Sequence, residues 1–175
     1  MNFYEKPLNT LSEKEWEQIC MRCGKCCMCK YSDGTVIHFS NYMCKFFDFK
    51  NGLCSCYHNR LEKTDSGCLK VDVALLEQHL ELLPPSCAYR RLYEGRGLPP
   101  YHPLLTGNPN SVIEAEQTVS SLPVISESLR EDALKALLKK AKHNHWNVRL
   151  VVLKALEIDC QHPLRWLESY PLPSI

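Results

Sequence analysis

Eleven cysteines in a chain of 175 residues set the chemistry to be explained. They fall at Cys20, Cys23, Cys26, Cys27, Cys29, Cys44, Cys54, Cys56, Cys68, Cys87 and Cys160, so ten of the 11 lie between residues 20 and 87. Thiolates are soft ligands for zinc and iron–sulfur clusters, and a C-x2-C step lets two sulfurs face one centre across a tight turn. Gly24 eases that turn. The run Cys20-x2-Cys23-x2-Cys26 reproduces the opening of the bacterial ferredoxin motif. The motif's fourth position falls on Lys30, so a further ligand has to come from later in the chain. Adjacent Cys26 and Cys27 point in different directions and can serve two centres. The predicted metal ligands are Cys20, Cys23, Cys26, Cys27, Cys44, Cys54, Cys56, Cys68 and Cys87, enough for two four-thiolate sites.

Two other uses of cysteine compete. Disulfides need an oxidising compartment. The stretch Met1 to Thr10 carries Glu5 and Lys6 and has no apolar core of a secretory signal, and the cysteine count is odd. Adjacent cysteines do occur in disulfide-rich domains, so that alternative stays open. Buried free thiols are ordinary core residues. This suits isolated Cys160, but Cys20 to Cys29 are interleaved with Arg22, Gly24, Lys25 and Lys30, which is not a core pattern. Among metals, zinc favours closed four-ligand sites built from C-x2-4-C pairs, whereas iron–sulfur clusters accept scattered cysteines after one C-x2-C-x2-C run. The run favours iron–sulfur, and structural zinc is the alternative.

Composition narrows the class. Lys plus Arg is 21 and Asp plus Glu is 20, a net charge of +1, which argues against a polybasic nucleic-acid binder. With 45% apolar and 23% charged residues, the chain is not globally disordered. No apolar run approaches the roughly 20 residues of a membrane helix. A cytoplasmic protein is expected, working with a protein partner and with neither nucleic acid nor membrane. No G-x-S-x-G, P-loop or G-x-G-x-x-G motif is present. His102, between Tyr101 and Pro103, could be a ligand or proton carrier, but capping of backbone groups is the favoured reading. Arg90 and Arg91 could neutralise thiolates or face solvent, and His143 and His145 could cap a helix break or bind metal.

The elements that must position these groups are short. Ser12 with Glu15 forms a capping box for a helix over Leu11 to Cys20, with Leu11 and Trp16 at the staple positions. Ser32-Asp33-Gly34 predicts a turn before a strand over Thr35 to Phe39, and Asn51-Gly52 a second turn. Asp72 caps a helix that Pro84-Pro85 stops, and Ser86 caps a short helix carrying Cys87. Residues 97–107 are expected as an ordered, packed loop. Beyond Asn110, short strands are expected over Val112 to Val119 and Leu122 to Ile125. A capping box at Ser128 and Glu131 then opens a helical hairpin, Leu134 to Ala141 and Trp146 to Ile158, and a packed or loose tail runs from Gln161 to Ile175. The predicted class is α+β: a small, metal-stabilised, loop-rich cysteine-cluster domain over residues 1–110, then a mostly helical extension over 111–175.

Several motifs together resemble a known family. They are C-x2-C-x2-C-C at Cys20 to Cys27, then Cys44, Cys54-Ser55-Cys56, Cys68, Leu83-Pro84-Pro85-Ser86-Cys87-Ala88-Tyr89-Arg90, and the loop from Glu94-Gly95-Arg96-Gly97-Leu98-Pro99 to His102-Pro103-Leu104-Leu105-Thr106-Gly107. Over residues 12–140 the chain resembles the YcgN-type branch of the YkgJ-like cysteine-cluster family, bacterial proteins regarded as zinc- or iron-chelating. Cys56 and Cys87 belong to the narrower branch, and Cys29 stands where relatives are expected to have histidine. The resemblance implies a cytoplasmic metal-chelating domain. Some members of the wider family act as protein-modifying enzymes such as flagellin lysine methylases, so support of such an activity is a further expectation.

Overall fold

The computed structural model of the chain describes residues 2–32, 34–63, 68–128 and 165–172. Cys160, His143, His145 and the expected helical hairpin lie outside the described residues.

Helix α1, Glu13–Ile19, starts where the capping box requires. The Glu15 amide donates to Ser12 Oγ at 3.3 Å, and the Ser12 amide donates back to the Glu15 carboxylate at 2.9 Å. The Ser12 amide and hydroxyl, both donating to the carboxylate, and Lys6 hold the Glu15 carboxyl down at about 2. Short helix α2 is Arg60–Lys63, and α3 is Val73–Gln78, capped by Asp72, whose carboxylate accepts from the Leu75 amide at 3.0 Å. The chain then tightens into a 3-10 turn, Leu80–Leu82, before the two prolines. Helix α4, Ala88–Tyr93, has Cys87 rather than Ser86 at its N-cap. The prolines already turn the chain at Pro84, whose carbonyl accepts from the Cys87 amide at 2.8 Å.

Loop 97–107 is packed as expected, with Leu98, Pro99 and His102 buried, and it contains one helical turn, α5, Pro103–Thr106. The strand expected over Val112 to Val119 is not formed. The chain instead makes helix α6, Ser111–Glu114, and a 3-10 turn, Val119–Ser121. Asn108 explains the difference, because its side-chain oxygen accepts from the Asn110 amide at 2.9 Å and its side-chain amide reaches Glu114 at 2.9 Å. Local side-chain bonding of this kind overrides the β-propensity of Val112 and Ile113.

Strands β1, Met28–Ser32, and β2, Val36–Met43, form an antiparallel pair with Lys30 opposite Phe39 and Ser32 opposite Ile37. A small hairpin pairs β3, Phe47–Asp48, with β4, Leu53–Cys54. Two more strands, β5, Ile125–Ser126, and β6, Trp166–Pro171, pair with β2 in parallel and antiparallel sense respectively. Since β1 already occupies one edge of β2, β5 and β6 share the other, end to end. Strand β2 is interior to the sheet, and its consecutive run Phe39, Ser40, Asn41, Tyr42 and Met43, with Ile37, is buried, so both of its faces are covered there. Strand β6 makes the tail part of the sheet. Pro171 stands at its end, a place where proline is tolerated.

Two apolar cores result, in an α+β fold. One gathers Ile19, Leu76, Leu83, Ala88, Tyr89 and Leu98. The other gathers Met28, Ile37, Phe39, Met43, Phe47 and Val119 under the sheet. Trp16 fixes the first, stacking on Tyr89 at 4.9 Å between ring centroids and donating from Nε1 to the Val71 carbonyl at 2.8 Å.

Candidate metal centre

Helix α1 delivers the chain to Cys20, and the backbone then curls. Arg22 has φ +53° and Gly24 φ +77°, both left-handed. At Gly24 the requirement is also steric, since a Cβ there would stand 2.6 Å from Val119 Cγ2 and 3.0 Å from the Phe47 ring. The Cys23 carbonyl accepts from the Val119 amide at 2.9 Å, and the Cys27 amide donates to the Gly24 carbonyl at 2.9 Å. Residues Lys25–Cys27 form one 3-10 turn. The Cys44 amide donates to the Cys27 carbonyl at 2.9 Å, which sets Cys44 beside the turn. Hairpin β3–β4 places Cys54 opposite Phe47, and the Sγ atoms of Cys54 and Cys56 lie 3.8 Å apart.

The ten described cysteines line two adjoining cavities of about 480 and 350 Å³. Cys20, Cys23, Cys26, Cys27, Cys54 and Cys87 line the first. Cys20, Cys26, Cys27, Cys29, Cys44, Cys54, Cys56 and Cys68 line the second. All nine residues predicted from spacing are therefore brought to one region, and Cys29 joins them. No disulfide links the ten. Among the described residues, no three His, Cys, Asp or Glu side chains converge tightly enough to grip a single ion.

The thiols' protonation follows from burial. Burial, reinforced by neighbouring Cys26, pushes Cys20 up to about 12, and burial pushes Cys87 up to about 11. Cys23, Cys44, Cys56 and Cys68 are raised by the same cause. Cys26 goes the other way, down to about 6, because the Cys27 thiol hydrogen-bonds to it and Lys30 is close. Cys27, the donor of that bond, is pushed up. Cys26 is thus the sulfur poised as thiolate near neutral pH, the form that binds metal.

Three residues that spacing did not single out complete the site. Lys30 donates from Nζ to the carbonyls of Cys26, at 2.7 Å, and Met28, at 3.1 Å, and lies over the Phe39 ring. Burial lowers its pKa while the surrounding cysteines Cys26, Cys27, Cys29 and Cys68 pull it back up. Arg60 lines the second cavity, 4.0 Å above the Tyr57 ring. Glu127 accepts from the Cys29 thiol at 3.0 Å and from the Lys45 amide at 3.1 Å. A cation inserted among cysteines, as Lys30 is, was a readable signal, but nothing local marks Glu127, which arrives from 98 residues beyond Cys29.

His102 is a positioning group. Its Nδ1 accepts from the Leu104 amide at 3.1 Å, so the ring proton sits on Nε2, which donates to the Ile19 carbonyl at 2.9 Å. The ring therefore caps α5 and pins the end of α1 just before Cys20. Arg90 donates to the Leu83 carbonyl at 2.7 Å and to Glu94 at 2.8 Å, and Arg91 to the Gly97 carbonyl at 3.0 Å. Both stitch backbone around α4.

Sequence comparison adds the family. A UPF0260 protein of Caulobacter sp. strain K31 is 44% identical over 141 residues, covering 75% of this chain and 83% of the relative. This chain belongs to the UPF0260 family. A UPF0260 protein of Shewanella pealeana is 40% identical over 129 residues, covering 73% of this chain and 87% of the relative. One from Haemophilus influenzae strain PittEE is 38% identical over 120 residues, covering 66% and 79%. No family model matches the chain, and no solved structure gives a significant match. The names of these UPF0260 relatives state no activity or ligand, so the chemistry is read from the site. Among the described residues, no helix is long and apolar enough to cross a membrane.

Proposed function

We propose that this protein is a cytoplasmic metal-thiolate protein holding one or two Cys-ligated centres, with iron–sulfur clusters as the favoured occupant and a redox role, or support of a protein-modifying activity, as their use. The observation that carries the reading is the gathering of ten cysteines on two adjoining cavities. A donor set dominated by sulfur selects soft metals. Lys30 and Arg60 supply positive charge against the thiolates that such a centre requires. The cavities offer more room than one ion takes with sulfurs at about 2.3 Å, which supports a multi-atom cluster. The C-x2-C-x2-C run and the resemblance to the YkgJ-like cysteine-cluster family point the same way. When bound, an iron–sulfur cluster would supply one-electron chemistry, and the chain's part is to ligate it, shield it from water and balance its charge.

The second reading is a structural zinc module that presents a surface to a protein partner. The Cys54–Cys56 sulfur separation of 3.8 Å favours it. Sulfurs around tetrahedral zinc, at about 2.3 Å from the metal, stand about 3.8 Å from one another. Exposed Phe49, Leu53, Tyr57 and Leu61 on the same stretch suit a protein partner.

The test is iron, zinc and acid-labile sulfide content with a visible spectrum, on full-length protein purified without oxygen. Iron matched by sulfide, with absorption that bleaches on reduction, is expected. Zinc without sulfide would replace the first reading by the second. Protein that takes up neither metal overturns both.

A further inference from the structure

We propose that the cysteines divide at the Cys26–Cys27 peptide bond into two sulfur sets, each holding its own centre. Cys20, Cys23, Cys26 and Cys87 form one set; Cys27, Cys44, Cys54, Cys56 and Cys68 supply the other. The proposal rests on the metal-thiolate reading above and deepens it.

Four observations converge on the division. The first is the turn itself. Residues Lys25–Cys27 are one 3-10 turn, in which successive side chains project about 120° apart, so the boundary falls between two neighbouring sulfurs that leave the backbone in different directions while their thiols hydrogen-bond to each other. The second is cavity lining. Cys23 and Cys87 line the first cavity and not the second, Cys44, Cys56 and Cys68 line the second and not the first, and Cys20, Cys26, Cys27 and Cys54 stand on the wall the two share.

The third is the packing behind the sulfurs. Cys20 and Cys87 pack against the core built from α1, α3 and α4, whereas Cys27 packs against the core under the sheet. The fourth is backbone wiring. The amide of Cys44 is bonded to the carbonyl of Cys27, and the β3–β4 hairpin returns Cys54 opposite Phe47, whose own amide donates to the Cys44 carbonyl at 2.8 Å.

The first set supplies the four thiolates a closed centre needs, three from one tight curl and one from the N-cap of α4. The second has five sulfurs for four positions, with Cys54 and Cys56 already in contact. Lys30, bonded to the Cys26 carbonyl and lining the second cavity, stands at the seam between them.

The test uses the full chain, purified without oxygen and loaded with ferrous iron and sulfide, or with zinc. Bound mass is read by native mass spectrometry, and metal by elemental analysis. Wild type should carry the mass of two centres. Cys23→Ser and Cys87→Ser should each lose about half the metal, and combined they should lose no more than either alone. Cys44→Ser and Cys68→Ser should behave the same way within their own set. Pairing Cys87→Ser with Cys68→Ser should remove nearly all metal.

Equal losses within and across sets overturn the division, as does wild type carrying one centre, a result that stands even if a variant fails to fold. Two zinc ions per chain, with no uptake of iron and sulfide, would support the division while overturning the iron–sulfur assignment. Wild type that binds no metal at all overturns the metal-thiolate reading and the division with it, so the two failures are told apart.

Discussion

Replacing Gly24 by alanine tests how tightly the cysteine curl is held against the sheet. Two costs add. At φ +77° an L residue pays roughly 1–2 kcal/mol that glycine does not. The new Cβ would also stand 2.6 Å from Val119 Cγ2, and Val119 is fully buried and β-branched, so its side chain has little freedom to turn away. Overpacking of this kind costs about 1–3 kcal/mol. Alanine's lower entropy in the unfolded chain returns about 0.5 kcal/mol, leaving a net loss of about 2–4 kcal/mol. Urea denaturation followed by circular dichroism, at matched metal content, reads this loss. Val119→Ala removes the clashing methyl. In the double variant most of the steric part should go, while the closer approach to the Phe47 ring and the backbone part persist, a coupling of about 1–2 kcal/mol. A Gly24→Ala variant within 0.5 kcal/mol of wild type, or a cycle with no coupling, would refute the reasoning.

Other consequences are equally direct. Lys25 Nζ meets the Glu168 carboxylate at 2.6 Å, with side chains only 10% and 19% exposed, so Lys25→Met should destabilise by about 3 kcal/mol, and adding Glu168→Leu should recover most of it; additive losses in the same denaturation would contradict this. Burial lowers the pKa of His102 below its ordinary value of 6.5. As pH falls below 6.5 the unfolded chain therefore takes up a proton that the folded one refuses. Stability from this residue is full above 6.5 and declines below it, at no more than about 1.4 kcal/mol per pH unit, until the folded pKa is reached. His102→Gln should flatten that slope between pH 7.5 and 5.5, and an unchanged slope would sink the idea. Glu116, at φ +55° and away from the cysteines, should gain up to about 1 kcal/mol on replacement by glycine, read as a higher melting temperature with unchanged metal content.

Much of the local structure was legible because its causes are local. Ser12 and Glu15 announce α1, Asp72 announces α3, and the left-handed turn at Gly24 follows from its type and the tight C-x2-C spacing, whereas nothing in the sequence marked Arg22 as left-handed. The cysteines that gather on the two cavities were legible as a cluster for the same reason, since their type and spacing are the signal. What escaped depended on partners far away in sequence. The Trp166–Pro171 strand exists because β2 offers an open edge and because Leu167 and Tyr170 meet the core under the sheet. A six-residue stretch between prolines carries no such information by itself. At Val112 to Val119, residue preference pointed to a strand, and the Asn108 side chain turned the chain into a helix instead.

The same distinction bears on how the site is held. The curl from Cys20 to Cys27 has few contacts of its own to rely on, and its geometry is imposed from outside at four places. His102 holds the Ile19 carbonyl before it, and Val119 holds the Cys23 carbonyl within it. Glu168 takes the Lys25 ammonium, and Cys44 takes the Cys27 carbonyl at its end. These partners come from a loop, a 3-10 turn, an edge strand and the stretch after β2, so elements on both sides of the cysteine-rich region converge on eight residues. A thiolate centre needs such support, because buried sulfurs whose pKa is raised by desolvation ionise only when a cation compensates them, and a cation binds well only where the sulfurs are already constrained. The Cys26 thiolate, with the Cys27 thiol and Lys30 beside it, satisfies the first condition at one point on the curl. The four external anchors supply the second along its whole length.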